Sequence, residues 1–150
     1  MGTWSRQEIE GAFEVYKAAA AKGGASGDWN DWADRFTEDA TYIEHLYGTM
    51  LGREAIRAWI NETMNTFPGS AMPTFPVDWH IVDEERGWIV CQIQNRMQDP
   101  GDGSIHQEYN FTLLKYAGDG LFSYEEDVYN PTKFQDMIKG WTARRRELEG

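Results

Sequence analysis

The chain has 150 residues, of which 41% are hydrophobic and 14% aromatic, enough apolar material for the core of one domain spanning residues 1–150. A formal net charge of -11 makes approach to nucleic-acid phosphates or an anionic membrane repulsive, so soluble partners and small ligands are expected instead. The single cysteine, Cys91, excludes an internal disulfide, and with neither a signal-peptide pattern nor a long apolar run the expected compartment is the cytoplasm.

Ser5-Arg6-Gln7-Glu8 has the form of a capping box, and Ile9, Ala12, Phe13, Tyr16 and Ala20 follow at helical spacing. The glycine-rich stretch 23–27 is expected to break this helix, after which Asp28 can cap a short second helix carrying Trp29, Trp32, Ala33 and Phe36. From Ala40 to about Tyr47 the residues favour a strand. Gly52 then starts a helix whose apolar face reads Ile56, Trp59, Ile60, Met64 and Phe67, ending at Phe67-Pro68-Gly69.

The remainder is mostly strand. Val77, Trp79 and Ile81 alternate, and the runs Trp88 to Gln98, His106 to Tyr116 and Leu121 to Tyr129 follow with connections too short for a crossover helix, which predicts an antiparallel meander. Asn130-Pro131 supplies a helix cap and a proline at the first helical position, with Phe134, Met137, Ile138 and Trp141 on one face. The basic triplet Arg144-Arg145-Arg146 suits the negative end of that helix and is read as a solvated face. The pattern is that of an α+β domain in which a curved sheet wraps the first helices and leaves a cavity, with a helix at the end.

Several local sequences carry a family resemblance: Tyr16, Gly27-Asp28-Trp29 with Trp32 and Phe36, Glu38-Asp39-Ala40, Gly52-Arg53-Glu54-Ala55-Ile56, and Asp127-Val128-Tyr129-Asn130-Pro131. In this order they resemble the nuclear transport factor 2-like superfamily, in its branch of SnoaL-like polyketide cyclases, steroid isomerases and limonene-epoxide hydrolase-like proteins. The resemblance implies a cone-shaped antiparallel sheet around the N-terminal helices, no cofactor, and a hydrophobic small molecule in the cone. Fold does not fix function here, since the superfamily holds isomerases, cyclases, dehydratases, epoxide hydrolases and non-catalytic binders.

Aligned with the steroid isomerases, Glu44 falls at the position of their general base and Tyr16 at that of their oxyanion-binding tyrosine. A carboxylate in an apolar cone gains basicity, and a phenol facing it can donate to an enolate oxygen as charge develops. Asp127 is the second candidate carboxylate; it shares a face with Glu125 and Tyr129 by strand period, and the superfamily often has a polar residue there. From the residues alone, Glu44 could equally be a surface carboxylate, Tyr16 a core side chain, and Asp127 a partner of backbone or a tyrosine. Tyr42, Asn95, Asn110, Glu108, Tyr129 and His45 complete the substrate-contact candidates. His45 points away from the face of Glu44 in a regular strand, and only a bulge would bring the two together.

The resemblance also directs the lane His106, Glu108, Asn110, Thr112 and Leu114 inward. It turns Tyr109, Phe111 and Leu113 outward, to pack across a homodimer interface on the outer sheet face. No histidine pair has a metal-ligand spacing, and no metal is expected. Epoxide hydrolysis would need an arginine between two acids, for which Arg96 and Asp127 are available, while Gln98 stands where the other acid is expected. The third alternative is a non-catalytic dimeric binder of the same fold.

Overall fold

The computed structural model describes residues 2–150. Helix α1 (Arg6–Ser26) opens the chain, and the Ser5 hydroxyl accepts from the Glu8 N–H at 3.1 Å, as the capping box requires. The helix runs four residues further than its glycines suggested, stopping at Gly27, whose φ of 79° is left-handed. Gly23 and Gly24 serve packing rather than termination: a Cβ at Gly23 would lie 2.5 Å from the Trp29 ring, and one at Gly24 1.9 Å from the Pro73 carbonyl oxygen. The close approach of Trp29 to the helix backbone therefore depends on Gly23.

Helix α2 (Asn30–Ala33) is a single turn, with the Asp28 carboxylate accepting from the Asn30 N–H. Strand β1 (Phe36–Glu44) begins earlier than expected and ends earlier. It turns back into a short strand, β2 (Gly48–Leu51), that the sequence reading had not separated. Helix α3 (Arg53–Met64) buries Ile56 and Ile60, and a 3₁₀ turn (Gly69–Ala71) leads to the long strands. These are β3 (Val77–Asp83), β4 (Trp88–Arg96), β5 (Gln107–Gly118) and β6 (Leu121–Val128), followed by α4 (Pro131–Glu149).

The meander β3 to β6 is antiparallel throughout. The sheet order is β2-β1-β6-β5-β4-β3, and β1 lies parallel to β6, which makes the sheet mixed rather than wholly antiparallel. That pairing places the first strand beside the last. Its register opposes Tyr42 to Glu125 and Glu44 to Asp127. In a strand pair such opposed residues project to the same face with Cβ atoms about 5 Å apart.

The concave face closes over α1, α2 and α3. Ile9, Phe13, Trp32, Phe36, Ile56, Ile89, Cys91, Leu114 and Phe122 are buried there, each large side chain contributing roughly 1.5–3 kcal/mol of transfer free energy. A satellite cluster of Ala71, Met72, Met97, Met137 and Trp141 holds α4 against the sheet, and the Trp141 indole donates to the Gln98 carbonyl at 2.7 Å. The Asn130 side chain accepts from the Thr132 N–H, and Pro131 occupies the first turn. On the convex face Trp79, Ile81, Val90, Tyr109 and Phe111 stay exposed. No helix among the described residues is long and apolar enough to cross a membrane.

Candidate active site

Between the concave face and the helices lies a cavity of about 700 Å³. Its walls are mostly apolar, with Trp29, Trp32, Tyr47, Trp59, Phe75 and Phe134 among the aromatic residues. Four carboxylates line it: Glu62 comes from α3, and Glu44, Glu125 and Asp127 come from the sheet. Of the three on the sheet, Glu44 sits at the end of β1 and the other two alternate on β6, so strand periodicity and the parallel β1·β6 register together bring them to one wall.

Each of the three sheet carboxylates has its own tyrosine. The Tyr16 hydroxyl, from α1, donates to Glu125 Oε1 at 2.6 Å; the Tyr42 hydroxyl, from β1, donates to Asp127 Oδ2; and the Tyr129 hydroxyl donates to Glu44 Oε2 at 2.8 Å. Glu44 Oε1 also accepts from the Leu46 N–H at 2.8 Å, which locks the carboxylate in the turn after β1. A line of polar side chains crosses the sheet to Asp127. The Asn95 amide donates to Asn110 Oδ1 at 2.7 Å, the Asn110 amide donates to Thr112 Oγ1 at 2.7 Å, and the Thr112 hydroxyl donates to Asp127 Oδ1 at 2.6 Å.

The electrostatics follow from burial. Glu125 is 2% exposed, and desolvation first, then the charge of Asp127, push its carboxyl well above the ordinary glutamate range. Asp127 is also raised by burial, but bonds from Glu125, Thr112 and Tyr42 oppose the rise. Burial and the closeness of the two carboxylates thus both act against ionising the pair twice. Burial and the adjacent carboxylates likewise raise Tyr16 and Tyr42, so both phenols remain donors. Burial also raises the Cys91 thiol, which leaves it protonated and inert.

Of the residues singled out in the sequence, Glu44, Asp127, Tyr16, Tyr42, Asn95, Asn110 and Tyr129 line this cavity together. His45 and Glu108 do not. His45 is exposed, 2.7 Å from Glu126, because β1 pairs in unbroken register from Thr41 to Glu44; its irregularity lies upstream, between Phe36 and Thr41, and does not rotate His45 inward. Glu108 lines a shallow groove against α4, and only its backbone carbonyl reaches the polar line, accepting from Asn95. Arg96 binds Gln107 Oε1 at 2.9 Å and is absent from the cavity wall, so the cavity lacks the arginine that an acid-arginine-acid arrangement needs. The sequence reading had not named Glu125 and Thr112 as site residues. Glu125 had a legible signal, its strand phase with Asp127; Thr112 joins the site through the cross-strand register that sets it opposite Asp127.

Helices packed into a curved six-stranded sheet, with polar groups concentrated inside the cone, define an NTF2-like α+β protein. Solved structures of this fold include an NTF2-like protein from Anabaena variabilis, 15% identical with a TM-score of 0.64, the match covering 87% of this chain and 95% of that one. The epoxide hydrolase/cyclase-like enzyme SalBIII of salinomycin pyran-ring formation aligns with a TM-score of 0.67 at 15% identity, over 86% of this chain and 95% of its own. A Catenulispora acidiphila protein with a ketosteroid isomerase-like fold, in complex with trimethylamine, aligns with a TM-score of 0.60 at 20% identity, over 77% and 85% of the two chains. No curated protein matches the sequence. The model of the SnoaL-like domain matches residues 17–118, and the chain belongs to that family.

Proposed function

We propose that the protein catalyses proton transfer on a hydrophobic small molecule bearing a carbonyl, as an isomerase, cyclase or dehydratase that needs no cofactor. The observation that carries this reading is the opposition of Glu44 and Asp127 on the parallel β1·β6 pair, with both side chains on the wall of one mostly apolar cavity. Glu44 is the base that removes a proton from the carbon beside the carbonyl. The protonated end of the Glu125–Asp127 pair faces the oxygen on which negative charge develops, and the proton then returns at the same or a conjugated carbon. Apolar walls favour an apolar substrate and exclude water from the intermediate.

The opening of an epoxide is less well supported, since Arg96 lies outside the cavity. The convex face, with Trp79, Tyr109 and Phe111 exposed side by side, suits a homodimer, and the single buried thiol of Cys91 suits a reducing cytoplasm. The chemical test is exchange of the α-hydrogens of 2-tetralone in D2O, followed by proton NMR. Exchange well above the buffer rate, lost in Glu44→Gln, is expected. Binding without exchange would instead make the protein a non-catalytic binder of the same fold.

A further inference from the structure

Resting on the proton-transfer reading, the geometry points to Glu125 as the catalytic residue that donates to the substrate oxygen, with Asp127 held as its permanent anion by the polar line from Asn95. Hydrogen-bond direction carries this assignment. The Asn110 amide can only donate to Thr112 Oγ1, so the Thr112 hydroxyl proton is left to point onward at Asp127 Oδ1. Asn110 is oriented in turn, because its Oδ1 accepts from the Asn95 amide, and Asn95 is anchored by its bond to the Glu108 carbonyl. Three amide and hydroxyl groups thus deliver a donor to one oxygen of Asp127, and Tyr42 delivers a second donor to the other.

A carboxyl oxygen that must accept from two sides favours the ionised form. Glu125 has less support: only Oε1 accepts a hydroxyl at hydrogen-bond distance, that of Tyr16. It is also more deeply buried, and it lies two residues from Asp127 on the same face of β6. The proton of the pair consequently resides on Glu125. Tyr16 is then a positioning residue: its hydroxyl is committed to Glu125 and aims the acid, instead of contacting the substrate oxygen itself. Asn95, Asn110 and Thr112 are positioning residues as well, acting through Asp127.

The proton count closes. Glu44 carboxylate takes the α-proton as the C–H electron pair moves into the new C–C double bond. The carbonyl oxygen gains the charge and accepts a hydrogen bond from Glu125, which keeps its proton throughout, because full transfer would leave it ionised beside Asp127. On return, Glu44 gives the abstracted proton to carbon as the oxygen sheds its charge.

The experiment is carbon-13 NMR of the intact protein, labelled in one sample at glutamate side-chain carboxyls and in another at aspartate. One glutamate signal is expected in the protonated position at neutral pH, and it vanishes in Glu125→Gln. No aspartate signal should share that position. Thr112→Val should move one aspartate signal toward the protonated position and the Glu125 signal away from it, whereas a merely structural threonine would leave both in place. A protonated aspartate in the parent protein, the absence of any protonated glutamate, or an unchanged partition in folded Thr112→Val would overturn the assignment. Exchange of 2-tetralone with the proton on Asp127 would refute this allocation alone; a protonated Glu125 without exchange would refute the proton-transfer reading alone.

Discussion

Glu44 and Asp127 face each other across adjacent parallel strands, one at the end of the first strand and the other near the end of the last. Neither carboxylate meets a Lys or Arg in the cavity wall at ion-pair distance; phenol, hydroxyl and backbone groups satisfy them instead. Neutral donors orient each carboxylate without pairing it to a fixed cation.

Tyr129→Phe removes the donor to Glu44 Oε2 while leaving the ring that packs on Phe134. Without that bond Glu44 is less firmly oriented, and 2-tetralone exchange should slow roughly tenfold. The bond itself is worth about 1.5 kcal/mol of stability, so the melting temperature should fall by a few degrees. Exchange rates and thermal denaturation of the same preparation check both parts.

Stability should fall as pH rises above the ordinary glutamate range. Glu125 is raised in the folded protein, whereas in the unfolded chain it titrates near 4.3, approximately the free value. The folded state therefore binds the proton more tightly. The stabilisation is fully present below the unfolded pKa, and it is lost as pH rises toward the folded one. Glu125→Gln cannot titrate, so its melting temperature should decline less between about pH 5 and pH 8 than that of the parent. A parallel decline in both proteins would contradict this.

Phe13 is fully buried, stacks on Tyr16 and contacts His80 through its ring. Phe13→Ala should cost about 3–5 kcal/mol in urea unfolding. Because Phe13 supports the tyrosine that aims Glu125, the variant should also lose exchange activity under conditions where it is still folded.

The exposed rings of Trp79, Tyr109 and Phe111 form a continuous outer strip, with centroids 5.9 Å apart for Trp79 and Phe111 and 5.3 Å apart for Tyr109 and Phe111. Sedimentation equilibrium should give the mass of two chains, and Phe111→Glu should give one by placing a charge at the centre of the strip. An unchanged mass in the variant would remove this face as the interface.

The long elements were legible because their signals are local. The capping box at Ser5, the apolar face of α3, the alternation of the last four strands and the Asn130-Pro131 cap each reside in a few consecutive residues. What was missed depends on distant partners. Gly23 and Gly24 look like a helix break until Trp29 and Pro73 come against them. Strand β2 is four residues long, and Leu51 is 72% exposed, so no alternation marks it. The parallel pairing of β1 with β6 leaves no trace in either strand's periodicity. The same divide runs through the site: resemblance marked Glu44 and Asp127 and strand phase put Glu125 beside Asp127, whereas Thr112 joins only through the cross-strand register that sets it opposite Asp127.

The pairing of β1 with β6 also sets when the protein can work. A chain on the ribosome that has completed α1 to β5 contains Glu44, Tyr16 and Tyr42 but no opposing acid, and its cavity is open along the edge of β1. Only the docking of the final strand supplies Glu125 and Asp127 and seals that edge. On the proton-transfer reading, the site is complete only once the C-terminal part of the chain has docked, and a partly folded molecule holds a cleft with Tyr16 and Tyr42 but without the acids of β6.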